Sequence, residues 1–433
     1  MKGESNMLKQ KFARPVSIIG TSSLPQRSFD DPEYKDLSIY ELWAAACNQA
    51  MQDAGIKPKD VDKLVYSQMA NFVTMGNVMS PVGSLEEWAG LAGKPVTHIE
   101  QACAGGYLAF NEAVNSVASG KYDIVMCAGL ETPKHFNARN QPAYMLQPIQ
   151  KYDGWWSPGR ALFDTAYNRF DGVSDNLLTE EQGKYYIKHY GIDEKTLDDT
   201  YNAMAINLRY NASHNPRALE RTPYSEIAKK AGYDDVMAYM RSDNNPKITQ
   251  YIRKSGSVLH NVEAGAIIVC SADIAKKYQD HPITVIDHAS VSNTQRYPFC
   301  FHQMNVDVRD ALYGGQDNFN PDDLDLMITT VMTSGEQLDS AEVFGYLPEG
   351  KGYKYELEGR TRFDADRPIN PHGGDLSFGH GFGCAGINML SEAIMQMRGT
   401  AGGSQVPKPV NDVLVRGMGG GHTTVGILLE NQD

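Results

Sequence analysis

Three stretches hold residues able to do covalent chemistry. "EQACAGGYLAFNEAVNSVASG", from Glu100 to Gly120, sets Cys103 among small residues just ahead of an amphipathic run. Unpaired N–H groups and the helix dipole favour a thiolate at a helix N-terminus. Such settings lower a cysteine pKa from about 8.5 to about 3.5–7.5. Cys103 is therefore a candidate nucleophile, against the plainer reading of a buried, inert thiol. That plainer reading suits Cys47 in an Ala-rich helix and Cys127 and Cys270 in apolar strands. "NPHGGDLSFGHGFGCAG", from Asn370 to Gly386, puts His380 between glycines, which are expected to leave its ring exposed. A histidine beside a thiolate activates it or polarises a carbonyl; otherwise it is a satisfied loop histidine. "RGMGGGHTTVG", from Arg416 to Gly426, has consecutive glycines that either aim N–H groups at an oxyanion or make a tight hairpin. His422 within it is catalytic or structural on the same terms. Gly381, Gly383 and Gly386 also match a dinucleotide fingerprint, but no buried strand precedes them, so that reading is set aside.

The elements that must position these groups alternate. "PVSIIGTSS", "DKLVYSQ" and "KYDIVMCAGLE" read as strands, and "SIYELWAAACNQAMQDAG" as an amphipathic helix stopped at Gly55. "VEAGAIIVCSADIAKKY", "PITVIDHAS" and "DLDLMITTVMTSGEQLDS" continue the pattern, and "DVLVRGMGGGHTTVGILLE" closes it as two strands around a glycine turn. Alternation predicts a mainly parallel sheet covered on both faces. From about 133 to 261 the texture turns rich in Tyr, Asn, Asp and Arg and reads as a helical and loop insertion. The organisation expected is thus 1–132, an insertion at 133–261, and 262–433. "CAGGYLAFNEAV" from Cys103 echoes "CAGINMLSEAIM" from Cys384, which suggests a duplicated fold whose two helices start near one another.

Composition bounds the function. The chain has 433 residues, 41% hydrophobic and 21% charged, with a net charge of −13. That balance lacks the basic footprint of a nucleic-acid binder. No stretch approaches the roughly 18 apolar residues of a membrane helix. The six cysteines are scattered with no CxxC pair, so no metal site is expected and reduced thiols in the cytoplasm are.

Taken together and in order, these blocks resemble the thiolase superfamily, most closely the branch of the sterol carrier protein-2 thiolase domain. "LWAAACNQAMQDAGIKPKDVDKLVYS" is similar to the family's early helix, "ACAGGYLAFNEAVNSVASGKYDIVMCAGLE" to its nucleophile block, and "INPHGGDLSFGHGFGCAGINMLSEAIMQMRG" to its Gly-His block. "YYIKHYGIDEKTLDDTYNAMAINLRYNASHNPRA" resembles the lid region. The resemblance implies an α/β fold of five layers, αβαβα, built from two similar halves with a helical and loop insertion. It implies cleavage of a β-ketoacyl-CoA, or the reverse Claisen condensation, through an acyl-Cys103. Coenzyme A is then a co-substrate and no bound cofactor is expected. His380 would hold the enolate oxygen, and the N–H groups of Cys103 and Gly419 would form an oxyanion hole. A homodimer core is implied, with a small OB-fold, zinc-ribbon partner protein as in related thiolase subunits.

The departures leave the acid/base open. The position of the family's second cysteine holds Gly417, and the His-Asp-Cys-Phe loop of the related branch aligns with Thr329 to Met332, placing Thr330 there. His380 is followed by Gly381 rather than proline. Cys384 is the candidate replacement base; Cys300, His302 and His422 are lesser ones. Trp155, Trp156, Tyr297 and Phe299 hint at a bulky or aromatic acyl group such as that of benzoylsuccinyl-CoA. C-acyl transfer to a small phenolic acceptor, a non-catalytic scaffold subunit and an aldolase are the alternatives; aldol cleavage needs no nucleophilic cysteine.

Overall fold

In the computed structural model, residues 8–28, 31–68, 82–131, 175–258, 261–293, 300–316, 319–419 and 423–431 are described. Nine strands form one sheet: β1 (Val16–Ser23), β2 (Lys63–Ser67), β3 (Val96–Ile99), β4 (Ile124–Glu131), β5 (Glu263–Ser271), β6 (Ile283–Ser292), β7 (Leu326–Thr329), β8 (Asp412–Gly419) and β9 (Thr423–Asn431). Their order is β3-β2-β4-β5-β1-β6-β9-β8-β7. Outward from the centre, β1 is followed by β5, β4, β2 and β3, and β6 by β9, β8 and β7. The pairing repeats as well, antiparallel, antiparallel, then parallel on each side. The chain is therefore two similar halves, joined where Val16–Ile18 pairs with 283–285.

The sheet is mixed rather than mainly parallel. Parallel pairing is confined to β2 with β3 and β4 and to β7 with β8. Alternation anticipated the crossovers but not the returns: β5 comes back after the insertion, and β8 turns tightly into β9. Neither connection needs a crossover helix, so both leave antiparallel neighbours.

Alternate residues of each strand feed different cores. The helices α1 (Ile39–Asp53), α2 (Val82–Trp88) and α3 (Gly105–Ala118) belong to the first half. Leu64, Tyr66, Met126, Ala128 and Ile268 face outward onto Trp43, Cys47 and Met51 of α1. Ser38 and Glu41 close a capping box that starts that helix. The insertion supplies α4 (Asp175–Tyr190), α5 (Glu194–Ser213), α6 (Tyr224–Lys230) and α7 (Val236–Arg241). The second half adds α8 (Cys300–Tyr313), α9 (Ser334–Val343), α10 (Gly352–Leu357), the single turn α11 (Gly374–Ser377) and α12 (Ala385–Met397). Ile286, Met327, Leu414 and Leu428 face Val308 and Leu312 of α8. Between the half-sheets, α3 and α12 share one core with Val65, Cys127, Val269, Ile328, Val415 and Ile427. Read through the molecule, the layers run helix, sheet, helix, sheet, helix. Among the described residues no helix is long and apolar enough to cross a membrane.

The two central helices meet at their starts, as the Cys-Ala-Gly echo anticipated. A Cβ on Gly386 would stand 2.4 Å from the Tyr107 nitrogen, and one on Gly106 2.8 Å from the Ile387 nitrogen. Real Cβ atoms do not come that close, so the crossing admits only glycine. Gly386→Ala is expected to lose about 1–3 kcal/mol in urea unfolding. Gly83→Ala, whose Cβ would meet nothing within 4 Å, should stay within about 0.5 kcal/mol. Equal midpoints for the two variants would refute the crossing constraint.

Candidate active site

The turn after β3 presents Cys103. Ala102 takes φ 46°, in the left-handed region that a side chain occupies only under constraint. Ala104 and Gly105 N–H close back on Gln101 and Ala102 carbonyls at 3.0 Å. This tight turn sets Cys103 just ahead of the first residue of α3, where the dipole favours negative charge. Two more non-glycine residues with positive φ, Asn370 and Phe382, flank the segment that carries His380.

The structure brings Cys103 and His380 together across 277 positions. His380 Nε2 stands 2.9 Å from Cys103 Sγ. Its other nitrogen, Nδ1, lies 2.7 Å from Asp375 Oδ1. Burial alone would lower the His380 pKa, but Cys103 and Asp375 outweigh it and hold it well above the ordinary value. The ring is 0% exposed, unlike the open setting its flanking glycines suggest. Those glycines serve packing instead: a Cβ on Gly379 would meet the Asn261 side chain at 2.5 Å, and one on Gly381 the Glu263 side chain at 2.5 Å.

Gly419 reaches the same point from the second half. A Cβ there would stand 2.7 Å from Ala104 N and 2.8 Å from Gln101 O, so the end of β8 lies directly on the Cys103 turn. That closeness is what two main-chain donors need in order to share one oxyanion.

Cys384 starts α12 as Cys103 precedes α3, but its surroundings differ. Its sulfur lies 2.9 Å from where a Gly129 Cβ would be. Burial, then Glu263 and Glu131, pushes its thiol pKa well up. These two glutamates pair in register across β4 and β5, each 0–1% exposed. Burial also pushes Glu263 up to about 7, against the pull of His380. Thr330 follows β7, with its hydroxyl 2.9 Å from the Tyr107 hydroxyl. His302 stands elsewhere, bonded through Nδ1 to Asp339 at 2.7 Å beside Tyr185. His422, Trp155, Trp156, Tyr297 and Phe299 lie outside the described residues, as does the side chain of Cys300.

Two residues escaped the sequence reading. Asp375 in a glycine-rich loop looks like a solvated acid; its spacing of five from His380 was the available signal. Tyr107 sits at helical spacing from Cys103 and reads as core. Its ring occupies the space over Gly417: a Cβ at 417 would stand 2.3–2.6 Å from three ring carbons. The same phenol then reaches Thr330. A side chain at 417 would therefore need the Tyr107 ring to move.

Comparisons with known proteins identify the family. Sequence models of the thiolase N-terminal domain and of a thiolase C-terminal domain-like region match residues 16–218 and 288–430. The chain is 29% identical over 403 residues to an acetyl-CoA acetyltransferase of Methanothermobacter thermautotrophicus, covering 91% of this chain and 93% of that protein. It is 24% identical over 372 residues to the benzoylsuccinyl-CoA thiolase subunit BbsB of Thauera aromatica, covering 84% and 87%. Among solved structures, the Ltp2–ChsH2(DUF35) aldolase shares the fold at a TM-score of 0.71, with 19% identity over 96% of this chain and 98% of that one.

Gly417→Cys should lose about 1–3 kcal/mol because its side chain collides with Tyr107. Adding Tyr107→Leu should restore most of that loss, a coupling readable by thermal unfolding of the two single variants and the double. Strict additivity would show that the ring does not fill the 417 position.

Proposed function

This chain belongs to the thiolase superfamily and is an acyltransferase of the thiolase type, and from that premise we propose that it cleaves or forms a carbon–carbon bond beside a coenzyme A thioester through an acyl-Cys103. The observation that carries this is the 2.9 Å contact between Cys103 Sγ and His380 Nε2. In the cleavage direction the Cys103 thiolate attacks the keto carbon of a β-ketoacyl-CoA. The N–H groups of Cys103 and Gly419 receive the oxyanion. The carbon–carbon bond breaks, its electron pair passes into the acyl-CoA enolate, and His380 Nε2–H holds the enolate oxygen. A second coenzyme A thiol then takes the acyl group from Cys103, which leaves as its thiolate, and the proton that thiol gives up balances the one the enolate α-carbon takes up.

A cavity of about 320 Å³ fits the coenzyme in this reading. Arg209, Tyr224, Lys254, Ser255 and Ser257 line it, with Leu376, the residue after Asp375. Lys254 and the hydroxyls suit phosphate and amide groups, while Arg209 is paired with Glu220 on the same wall. The likeness to BbsB favours a bulky aromatic acyl group. The Ltp2–ChsH2(DUF35) aldolase neighbour, which includes a DUF35 component, favours a small OB-fold, zinc-ribbon partner here. A homodimer would pair the β3 edge of the sheet with its copy. Five described cysteines are free, in keeping with a cytoplasmic setting.

A second reading is favoured by Tyr107. With its ring over Gly417 and its hydroxyl on Thr330, the usual place of an α-carbon base is filled by a phenol. Cys384, the replacement base expected from sequence, is a buried thiol held neutral by its surroundings. C-acyl transfer to a phenolic acceptor, which needs no proton taken beside a thioester, would suit such a site.

Intact-protein mass spectrometry separates these readings. The chain is incubated with β-ketoacyl-CoA and acyl-CoA esters, aromatic ones included, with and without a candidate partner. A mass gain absent from Cys103→Ala is expected, and its size identifies the acyl group. Discharge by coenzyme A marks the thiolase and discharge by a phenol the acyltransferase. No adduct with any ester, partner present, would leave the scaffold or aldolase account standing.

A further inference from the structure

His380 is held from both sides. Asp375 Oδ1 lies 2.7 Å from Nδ1 while Nε2 meets Cys103 at 2.9 Å, and Asp375 Oδ2 accepts the Val331 N–H at 2.6 Å. All three side chains are 0–1% exposed. The placement is built into the backbone. Asp375 rides the single turn α11, entered through Gly373 at φ 117° and Gly374 at φ 57°. A Cβ on Gly373 would meet Ala212 of α5 at 2.6 Å, so the insertion fixes where that turn stands.

A carboxylate buried this deeply needs a counter-charge. Among the described residues its hydrogen-bond donors are Val331 N and His380 alone. Arg416 and Tyr107 feel its field without bonding to it. The titratable groups facing His380 are Cys103 from the start of α3, Asp375 from α11 and Glu263 from β5. An imidazolium satisfies the geometry at both nitrogens, donating Nδ1–H to Asp375 and Nε2–H to the Cys103 sulfur.

We propose that Asp375 is the positioning residue of a Cys103–His380–Asp375 triad, orienting His380 and supplying its counter-charge so that the thiolate exists before substrate binds. The inference rests on Cys103 being the acylated nucleophile and adds how that nucleophile is made. The S–H bond of Cys103 breaks, an N–H bond forms at Nε2, and the proton at Nδ1 stays on the Asp375 side throughout. No electrons leave the pair. The Nε2 proton then remains available to the enolate oxygen.

The test reads the thiolate without any acyl ester. Alkylation of Cys103 by iodoacetamide, followed by intact mass with Cys103→Ala as blank, is measured against pH in the native chain, Asp375→Asn and Asp375→Glu. The native rate should stay nearly flat from about pH 6 to 8. In Asp375→Asn it should fall about 10–100-fold near pH 6.5, its midpoint moving toward the roughly 8.5 of a free thiol. Asp375→Glu should recover part of the loss. A folded Asp375→Asn that keeps the native profile overturns the proposal. Should that variant not fold, imidazole nitrogen NMR of the native chain decides, with His380→Gln for assignment. A doubly protonated His380 ring near pH 7 supports the triad and a singly protonated one overturns it. A shifted alkylation profile without any acyl adduct would sink the acyl-transfer reading and leave the ion-pair assignment standing.

Discussion

The start of one central helix must touch the start of the other, and the site exists only because it can. Gly106 and Gly386 remove the Cβ atoms that would hold α3 and α12 apart. Their closeness carries Cys103, from the first half, within hydrogen-bond reach of His380, from the second. The same contact brings the end of β8, at Gly419, onto the Cys103 turn. Backbone strain at Ala102, Asn370 and Phe382 gathers at this junction, where surrounding structure over-determines the local conformation.

Duplication gives the molecule two cysteines in equivalent places, and the electrostatics give them opposite characters. Cys103 faces a histidine whose other nitrogen meets the Asp375 carboxyl. Cys384 is fully buried and faces Glu263 and Glu131, and burial first, then these carboxyls, discourage negative charge on its sulfur. One helix start thereby sets its sulfur against a histidine and its counterpart sets its sulfur against two carboxyls. Arg416 shows how far this half-buried charge field extends. Its guanidinium is fully buried with Asn305, the Thr330 carbonyl and the Met418 sulfur as neighbours, and among the described residues no carboxylate bonds to it directly.

Much of this was legible in the residues. Strand blocks of continuous Val, Ile and Leu sit where the strands are, because a doubly covered sheet demands them. The Cys-Ala-Gly echo marked the duplicated helices, since the crossing needs small residues twice. What escaped has physical reasons. The edge strand β3 is four half-buried residues long, too short and too mixed to show a period. The helix α8 hides its buried Met304, Val308 and Leu312 among Asn, Asp and Arg, although their spacing of four was there to read. His380 looked exposed because glycine was read as openness, when Asn261 and Glu263 fill the space that side chains at 379 and 381 would need. Asp375 offered only its spacing of five from His380, because a lone acid beside glycines has the composition of any surface loop. Its role depends on a neighbour brought in by folding.

The separation of 277 positions between Cys103 and His380 also bears on synthesis. Ribosomes deliver the nucleophile long before its histidine. Even the first half-sheet stays open until β5 emerges, since β5 lies between β4 and β1. Contacts this distant in sequence form late, after loop-closure entropy has been met. Throughout elongation Cys103 therefore stands without His380 beside it, and the pair forms only once the C-terminal half has docked. A chain cut short by stalled translation would carry the nucleophile without its activator.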